Sequence, residues 1–377
     1  MLDKNEDNHY VLIVVDVRGW AFSYVADYIQ HALGTGRSRV IYTEDYTSYG
    51  NFCDHLTSLN FSCLFFFSRR YLFELINYTA LFRPDFGPIL AGHRILTTIP
   101  DHAFSSPSDL EDYARHFNFI DGYITTSRRL FEHYRDATGI PEPCHVIHDH
   151  PYLEFSPDCT ARQKSRNAEI KICWIGNSKW GRQYGLRDYK GLNSIIIPAI
   201  DRLKNNFSIS FSVYDIAEQK YPKKVIDQAL IDADIFVCAS VQEGTPLTVV
   251  EAMAYGCAIV STDVGVIPEV FSDKQMRFVV ERNADAFYLA LDKLCKDHAL
   301  LNILAAENIQ QYTRLYVDDQ TDAESWRELV SVKNPNAGAE TARHKKLRIL
   351  NELAADLPLS ARLCIVNPWL KRSAMIK

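Results

Sequence analysis

A chain of 377 residues is long enough for two domains with separate cores. Its apolar content of 47% and charged content of 23% are those of a globular protein, and a formal charge of −6 argues against a nucleic-acid binder. Nine scattered cysteines, none in a C-x-x-C pair, read as small core residues in a reducing compartment, not as a disulfide framework.

In chain order, the first nine residues are polar, and the apolar run Tyr10–Val15 is short and ends at Asp16, so no secretory leader is expected. Val11–Val15 reads as a strand and Trp20–Leu33 as the helix after it. In the loop between them Gly19 lets backbone approach a ligand and Arg18 can meet an anionic group; the plainer reading is a turn with Trp20 packed inside. Arg39–Tyr42, Ser62–Phe67 and Arg94–Ile99 read as further strands, the last followed by Pro100-Asp101-His102. The longest apolar run, Phe61–Phe67, falls far short of the ~18–20 residues needed to span a bilayer. Gly122–Thr126 is a strand, Ser127 caps the helix Arg128–Ala137, and Cys144–Ile147 is the last strand of this half. Strands alternating with helices predict a parallel, doubly wound sheet.

Pro151–Asn167 is polar and turn-rich and reads as a linker. The pattern then restarts: strand Lys171–Ile175, helix Leu192–Leu203, strand Ser208–Val213, helix Val225–Ala233 and the buried strand Ile235–Ser240. Gly244, Thr245 and Pro246 break that strand, with Pro246 suited to the first helical position. Leu247, Val250, Met253 and Ala254 recur at helical spacing, Gly256 stops the helix, and Cys257–Ser261 is the next strand. Arg277–Val280 reads as a strand, and Ala284–Leu294, Ala299–Tyr312 and Asp322–Val332 as helices, before a turn-rich break at Lys333–Glu340.

Such a strand–turn–helix has a chemical use. The free N–H groups of Gly244, Thr245, Leu247 and Thr248, together with the positive end of the helix dipole, suit a diphosphate. Glu243 lies on a loop at a strand's carboxyl end, and Glu251, eight positions on, leans back toward the helix start. One carboxylate can accept hydrogen bonds from a sugar and the other from a ribose diol.

The stretch Ser240–Glu269 resembles the signature of retaining GT-B glycosyltransferases of family 4. The shared elements are Glu243-Gly244-x-Pro246, the Glu-x7-Glu spacing, Glu251-Ala-Met-Ala-x-Gly256 and Gly265-x-x-Pro-Glu269. The resemblance implies an α/β fold of two doubly wound Rossmann-like domains facing across a cleft. The expected division is an acceptor-side domain at 1–152, a nucleotide-sugar-binding domain at 153–335 and a basic helical tail at 336–377. It implies that Lys190, before Gly191, meets the donor diphosphate. The family's second phosphate-binding cation, an Arg just after the glycine ending the domain's first strand, is replaced by Asn177, with Lys179, Arg182 and Arg187 as candidates to substitute. A family histidine facing the donor sugar falls near Thr97–His102: Pro100 takes the usual position, Asp101 is next, and His102 is either a shifted substitute or a loop histidine.

The expectation is retaining transfer of a hexosyl unit from a UDP- or GDP-sugar to a glycan or lipid-linked acceptor in surface polysaccharide assembly. The diphosphate is met by Lys190 and helix amides, the ribose by Glu251 and the transferring sugar by Glu243, with no further cofactor and no metal. The rival readings are a degenerate, non-catalytic scaffold subunit and another nucleotide-sugar enzyme on the same fold. Asp232-Ala-Asp234 is discounted as a metal motif because it ends a helix that leads into a buried strand, and His148-Asp-His150 because adjacent side chains of an extended segment point apart and no third ligand stands at a diagnostic spacing. A cytoplasmic place follows from the cysteines and the missing leader. Residues 341–377 hold eight Lys/Arg and two Asp/Glu, a net +6 that leaves −12 for the rest. That tail reads either as a peripheral contact with anionic lipid through Leu347, Leu350 and Leu353, or as a helix packing back on the N-terminal domain.

Overall fold

The computed structural model describes residues 10–34, 36–102, 105–156, 169–182, 185–331 and 336–356, the side chains of 336–339 left aside. The chain divides into two units: residues 1–147 with 321–377, and 148–320.

The first unit is built on six parallel strands: β1 Val11–Val15, β2 Ser38–Tyr42, β3 Cys63–Phe66, β4 Arg94–Ile99, β5 Gly122–Thr125 and β6 His145–Val146, in the order β2-β1-β3-β4-β5-β6. The central strands are apolar throughout because a parallel sheet is covered on both faces. Leu12, Val14, Leu64, Phe66 and Ile95 fill the core on one face. On the other, Phe65 is covered edge-on by Trp326, with ring centroids 5.0 Å apart. Trp326 lies on the helix Thr321–Ser331, which also reaches this unit through Arg327 Nε, 2.8 Å from the Ala32 carbonyl. The expected second domain, 153–335, therefore gives up this helix: an exposed aromatic face on the first sheet needs a cover, and Trp326 supplies it.

The tail begins as the helix Asn336–Asp356, which starts inside the expected break; residues 332–335 lie outside the described residues. Ile349, Leu350 and Leu353 are buried in the first unit's core, with Leu347 packed against it. Lys346 is buried too, donating to Asp121 Oδ2 at 2.5 Å and to the His93 carbonyl at 2.8 Å. Burial lowers its pKa and Asp121 opposes that. The apolar stripe read as a lipid-facing surface is thus spent inside the protein over these residues. Its remainder, 357–377, lies outside the described residues. Among the described residues, no helix is long and apolar enough to cross a membrane.

The second unit carries four parallel strands, β7 Ile170–Gly176, β8 Ile209–Asp215, β9 Ile235–Cys238 and β10 Ala258–Ser261, in the order β10-β9-β7-β8. Alternate side chains sort to its two faces, as strand geometry requires. Cys173, Ile175, Phe236, Cys238 and Ile259 fill one core, and Ile172, Trp174, Ile235, Val237 and Val260 the other. The expected strand Arg277–Val280 is instead a 3-10 turn, Gln275–Phe278, with one bridge between Ser261 and Val279. The reason is chemical. The Gln275 side-chain amide occupies the edge of β10, accepting from Ile259 N–H at 3.2 Å and donating to the Ile259 carbonyl at 2.6 Å. Those are the bonds a further strand would have made. The expected linker is described only to Ser156, and that part docks on this unit, with Leu153 and Phe155 against its core.

Candidate functional site

In an open α/β sheet the ligand-binding crevice lies at strand carboxyl ends where the winding reverses. In the second unit β7 has β8 on one side and β9 on the other, so the loops leaving β7 and β9 flank that point. The β9 loop carries Glu243 and the β7 loop leads to Lys190.

The β9 turn is locked by the second half of the signature. The Gly244 carbonyl accepts from Val266 N–H at 3.0 Å. Gly265 has φ +52°, and a Cβ there would stand 1.8 Å from the Gly244 oxygen. No side chain fits between the two backbones, which is why glycine is required there. The neighbouring segment closes on the same turn: Asp149 N–H donates to Thr245 Oγ1 at 3.4 Å, and His148 Nε2 lies 3.2 Å from Glu269 Oε2. Both histidines lie against Tyr316, His148 at 6.1 Å and His150 edge-on at 5.2 Å between ring centroids. The helix runs Leu247–Ala254. Pro246 sits just before it, not in its first turn, because its ψ of 82° is not helical. The Pro246 carbonyl takes the N–H groups of Val249 and Val250, so Leu247 and Thr248 are the donors at the mouth of the helix.

The Lys190 loop is equally constrained. Asp188 sits at φ 43°, a strained value for a residue other than glycine. Its carboxylate takes the N–H groups of Asn193 and Ser194 and the Ser194 hydroxyl. Burial works against that charge, but the donors outweigh it and hold the carboxyl below its usual range. Gly191 has φ +70°, and a Cβ there would lie 2.6 Å from the Ala239 carbonyl oxygen. Arg282 then clamps the two loops, donating from Nε to the Ala239 carbonyl at 2.9 Å and from Nη2 to the Asp188 carbonyl at 2.6 Å. The result is a Lys190–Glu243 ion pair in which each side chain is about one-fifth exposed, at 20% and 19%. Trp180 lies alongside, 5.7 Å from Lys190 Nζ and 4.4 Å from the Tyr189 ring.

The second carboxylate of the spacing faces inward. Glu251 is 7% exposed and pairs with Lys223 Nζ at 2.9 Å. Lys223 also pairs with Asp227, which is fully buried and takes the Tyr255 hydroxyl at 2.9 Å and Glu154 N–H at 2.7 Å. Burial pushes the Glu251 carboxyl up to about 7 against the pull of Lys223. Burial alone would lower the Lys223 ammonium; Glu251 and Asp227 together outweigh it and hold it above its ordinary value.

The structure thus brings Lys190, Glu243 and the 244–248 turn together and sets Glu251 in a charged cluster. It gives the proposed substitutes for the missing Arg other employment or open solvent. Lys179 pairs with Glu218 at 2.9 Å with both side chains exposed, and Asn177 Oδ1 caps Lys179 N–H. Arg182 and Arg187 are exposed. The discounted Asp234 accepts from Lys171 N–H and Asp232 from Gln228. Among the described residues, no three His, Cys, Asp or Glu side chains are grouped as metal ligands.

In the first unit Gly19 does adopt the left-handed region, at φ +70°. Arg18, expected to meet an anion, is instead held by Glu44 at 3.1 Å and Asp45 at 2.6 Å, with its guanidinium 4.1 Å over Tyr42. Two nearby carboxylates satisfy it first. Asp101 lies 3.7 Å from the buried Arg69. Burial, then His133, holds His102 below its ordinary value and so favours the uncharged ring. The sequence reading missed Lys223, Asp227, Arg282 and Trp180. The i,i+4 spacing of Lys223 and Asp227 was a visible signal; the Arg282 clamp, made to backbone carbonyls far along the chain, left none.

Residues 215–314 match the family model of glycosyl transferases group 1. The group 1 match takes in Glu243, Glu251, Lys223, Asp227 and Arg282, and leaves Lys190 upstream. No curated protein matches the chain significantly. Among solved structures, sucrose-phosphate synthase from Thermosynechococcus elongatus aligns at TM-score 0.61 and 14% identity, over 85% of this chain and 98% of that one. Anabaena HepE in complex with UDP-glucose aligns at 0.60 and 11%, over 85% and 98%. A mutant of S. aureus TarM aligns at 0.49 and 16%, over 63% of this chain and 51% of that one, so the chain spans about half its length. The fold, two parallel α/β sheets, is that of GT-B glycosyltransferases.

Proposed function

We propose that this protein is a retaining glycosyltransferase that moves a hexosyl unit from a nucleotide sugar to a glycan or lipid-linked acceptor, in surface polysaccharide assembly. The observation that carries the reading is the Lys190–Glu243 pair at the reversal of the second sheet, beside a helix start whose first N–H groups are uncommitted to the helix. A diphosphate has the charge to draw Lys190 away from Glu243, freeing that carboxylate for the hydroxyls of the sugar. Lys190 and the amides of Leu247 and Thr248 then stabilise the negative leaving group, a role a divalent cation plays in other sites. Glu251 accepts from the ribose. The match to glycosyl transferases group 1 and the UDP-glucose bound by HepE support the donor class. Asp101 and His102 remain the first unit's candidates for a catalytic role.

The test is thermal shift with UDP-, GDP-, CDP- and ADP-sugars, followed by transfer assays with the stabilising donor. A native-state ligand raises the melting temperature by mass action. Stabilisation by one nucleotide sugar that is lost in Lys190→Ala supports the reading. Stabilisation without turnover favours the non-catalytic scaffold, and none at all rejects a donor site.

A further inference from the structure

Behind the Lys190–Glu243 pair, one ammonium serves two buried carboxylates. Asp227 takes three donors: Lys223 Nζ, the Tyr255 hydroxyl and Glu154 N–H. Among the described residues, the Glu251 carboxylate takes one, Lys223 Nζ at 2.9 Å. A carboxylate has about four acceptor positions. Asp227 is close to saturated, while Glu251 keeps most of its capacity open in surroundings that make its charge costly. The pair is not sealed: the Lys223 and Glu251 side chains retain 12% and 9% exposure. What this arrangement lacks is a pair of hydroxyl donors on the open side of Glu251. A phosphate would be repelled by the two carboxylates, whereas a vicinal diol supplies two O–H groups at the spacing of two carboxylate oxygens.

We propose that Lys223 is the positioning residue that keeps Glu251 an oriented acceptor for the two hydroxyls of a ribose, and so sets the preference of this site for ribonucleotides over deoxyribonucleotides. The inference rests on the nucleotide-sugar reading and deepens it. The titratable groups facing Glu251 are Lys223 and Asp227 on the helix Lys223–Asp232, Tyr255 just past the end of its own helix, and Tyr312 on the helix His298–Tyr312. Lys223 alone among them is cationic. Without it Glu251 takes up a proton, exchanges one acceptor oxygen for a donor, and no longer matches a diol.

The experiment is calorimetric binding of UDP, GDP, ADP and CDP, each beside its 2′-deoxy counterpart, between about pH 6 and pH 9. In the wild type the bound nucleotide should be preferred over its deoxy form by ~10–100-fold, the range of a hydrogen bond to a charged group. That preference should grow as pH rises through about 7, where Glu251 ionises. Lys223→Gln should reduce the preference to within ~3-fold, and Lys223→Arg should restore most of it. If Lys223→Gln does not fold, Lys223→Arg and the pH dependence decide: a preference that does not vary with pH in either protein overturns the proposal. So does a Lys223→Gln protein that keeps the preference, or one that binds both nucleotides equally more weakly. Equal binding of ribo- and deoxynucleotide by the wild type overturns this inference and leaves the donor reading standing. No binding of any of the four overturns both.

Discussion

Lys190 and Glu243 meet on loops at the ends of strands, each about one-fifth exposed, whereas Lys223 and Glu251 meet behind that turn, about one-tenth exposed. The residue types are the same and Glu251 follows Glu243 by eight positions, yet the consequences differ. At the strand ends, solvent lowers the cost of separating the charges, so a ligand can exchange with Glu243 for Lys190. Inside, separation leaves an uncompensated charge, so the Lys223 pair holds still and can only be added to. On the proposed reading, the exchangeable pair suits a diphosphate that arrives and leaves, and the fixed pair a ribose held in one orientation.

Breaking the inner pair should have the largest effect on stability. Lys223→Met leaves Glu251 and Asp227 buried without a cation and should cost ~3–5 kcal/mol, read by urea denaturation. Breaking the outer pair should act on function. Lys190→Ala should lower kcat/KM for the nucleotide sugar ~100-fold, about 2.7 kcal/mol of transition-state stabilisation, while its melting temperature stays near the wild type's. Between these, Gly191→Ala should destabilise by ~1–3 kcal/mol and weaken donor binding, because a Cβ at φ +70° meets the Ala239 carbonyl and displaces the Lys190 loop. Melting curves beside donor titrations would separate the two effects.

Glu251→Gln sharpens the comparison through pH. The folded Glu251 carboxyl is raised to about 7 from 4.5, so the native state holds this proton more tightly than the unfolded chain. Its contribution to stability is full below about pH 4.5 and is lost as pH rises through about 7. The amide carries no such loss, so Glu251→Gln should gain ~1–2 kcal/mol on the wild type at pH 8 and little or nothing at pH 5. A wild-type advantage at pH 8 would mean that Lys223 wins over burial. The smallest effect is expected at Arg18, whose side chain is 53% exposed: Arg18→Ala should change stability by less than ~1 kcal/mol and leave donor binding intact. Lost donor binding there would return Arg18 to the candidate site.

The strands show what local pattern could carry. Val11–Val15 and Arg94–Ile99 agree with the sequence reading at both ends, and Gly122–Thr126 to within a residue, because a buried parallel strand is rich in apolar and β-branched residues. Val279 also looked like strand, but a glutamine side chain from elsewhere in the loop had taken the edge of β10, and periodicity carries no record of that. The helices Tyr49–Ser58 and Arg69–Phe82 went unread.

At the candidate site, the turn was legible along the chain: Gly244, Pro246 and Gly265 stand where a strand stops, a helix starts and two backbones touch. The sequence by itself also determined that Lys190 opens a helix after a glycine-ended strand. Which cation answers which carboxylate was decided by tertiary structure alone. Lys190 stands 53 positions before Glu243, Lys223 stands 28 before Glu251, and Trp326 reaches back to Phe65. Spacing along a chain sets which side chains share a face of one element; burial and charge pairing depend on which elements the fold stacks beside one another.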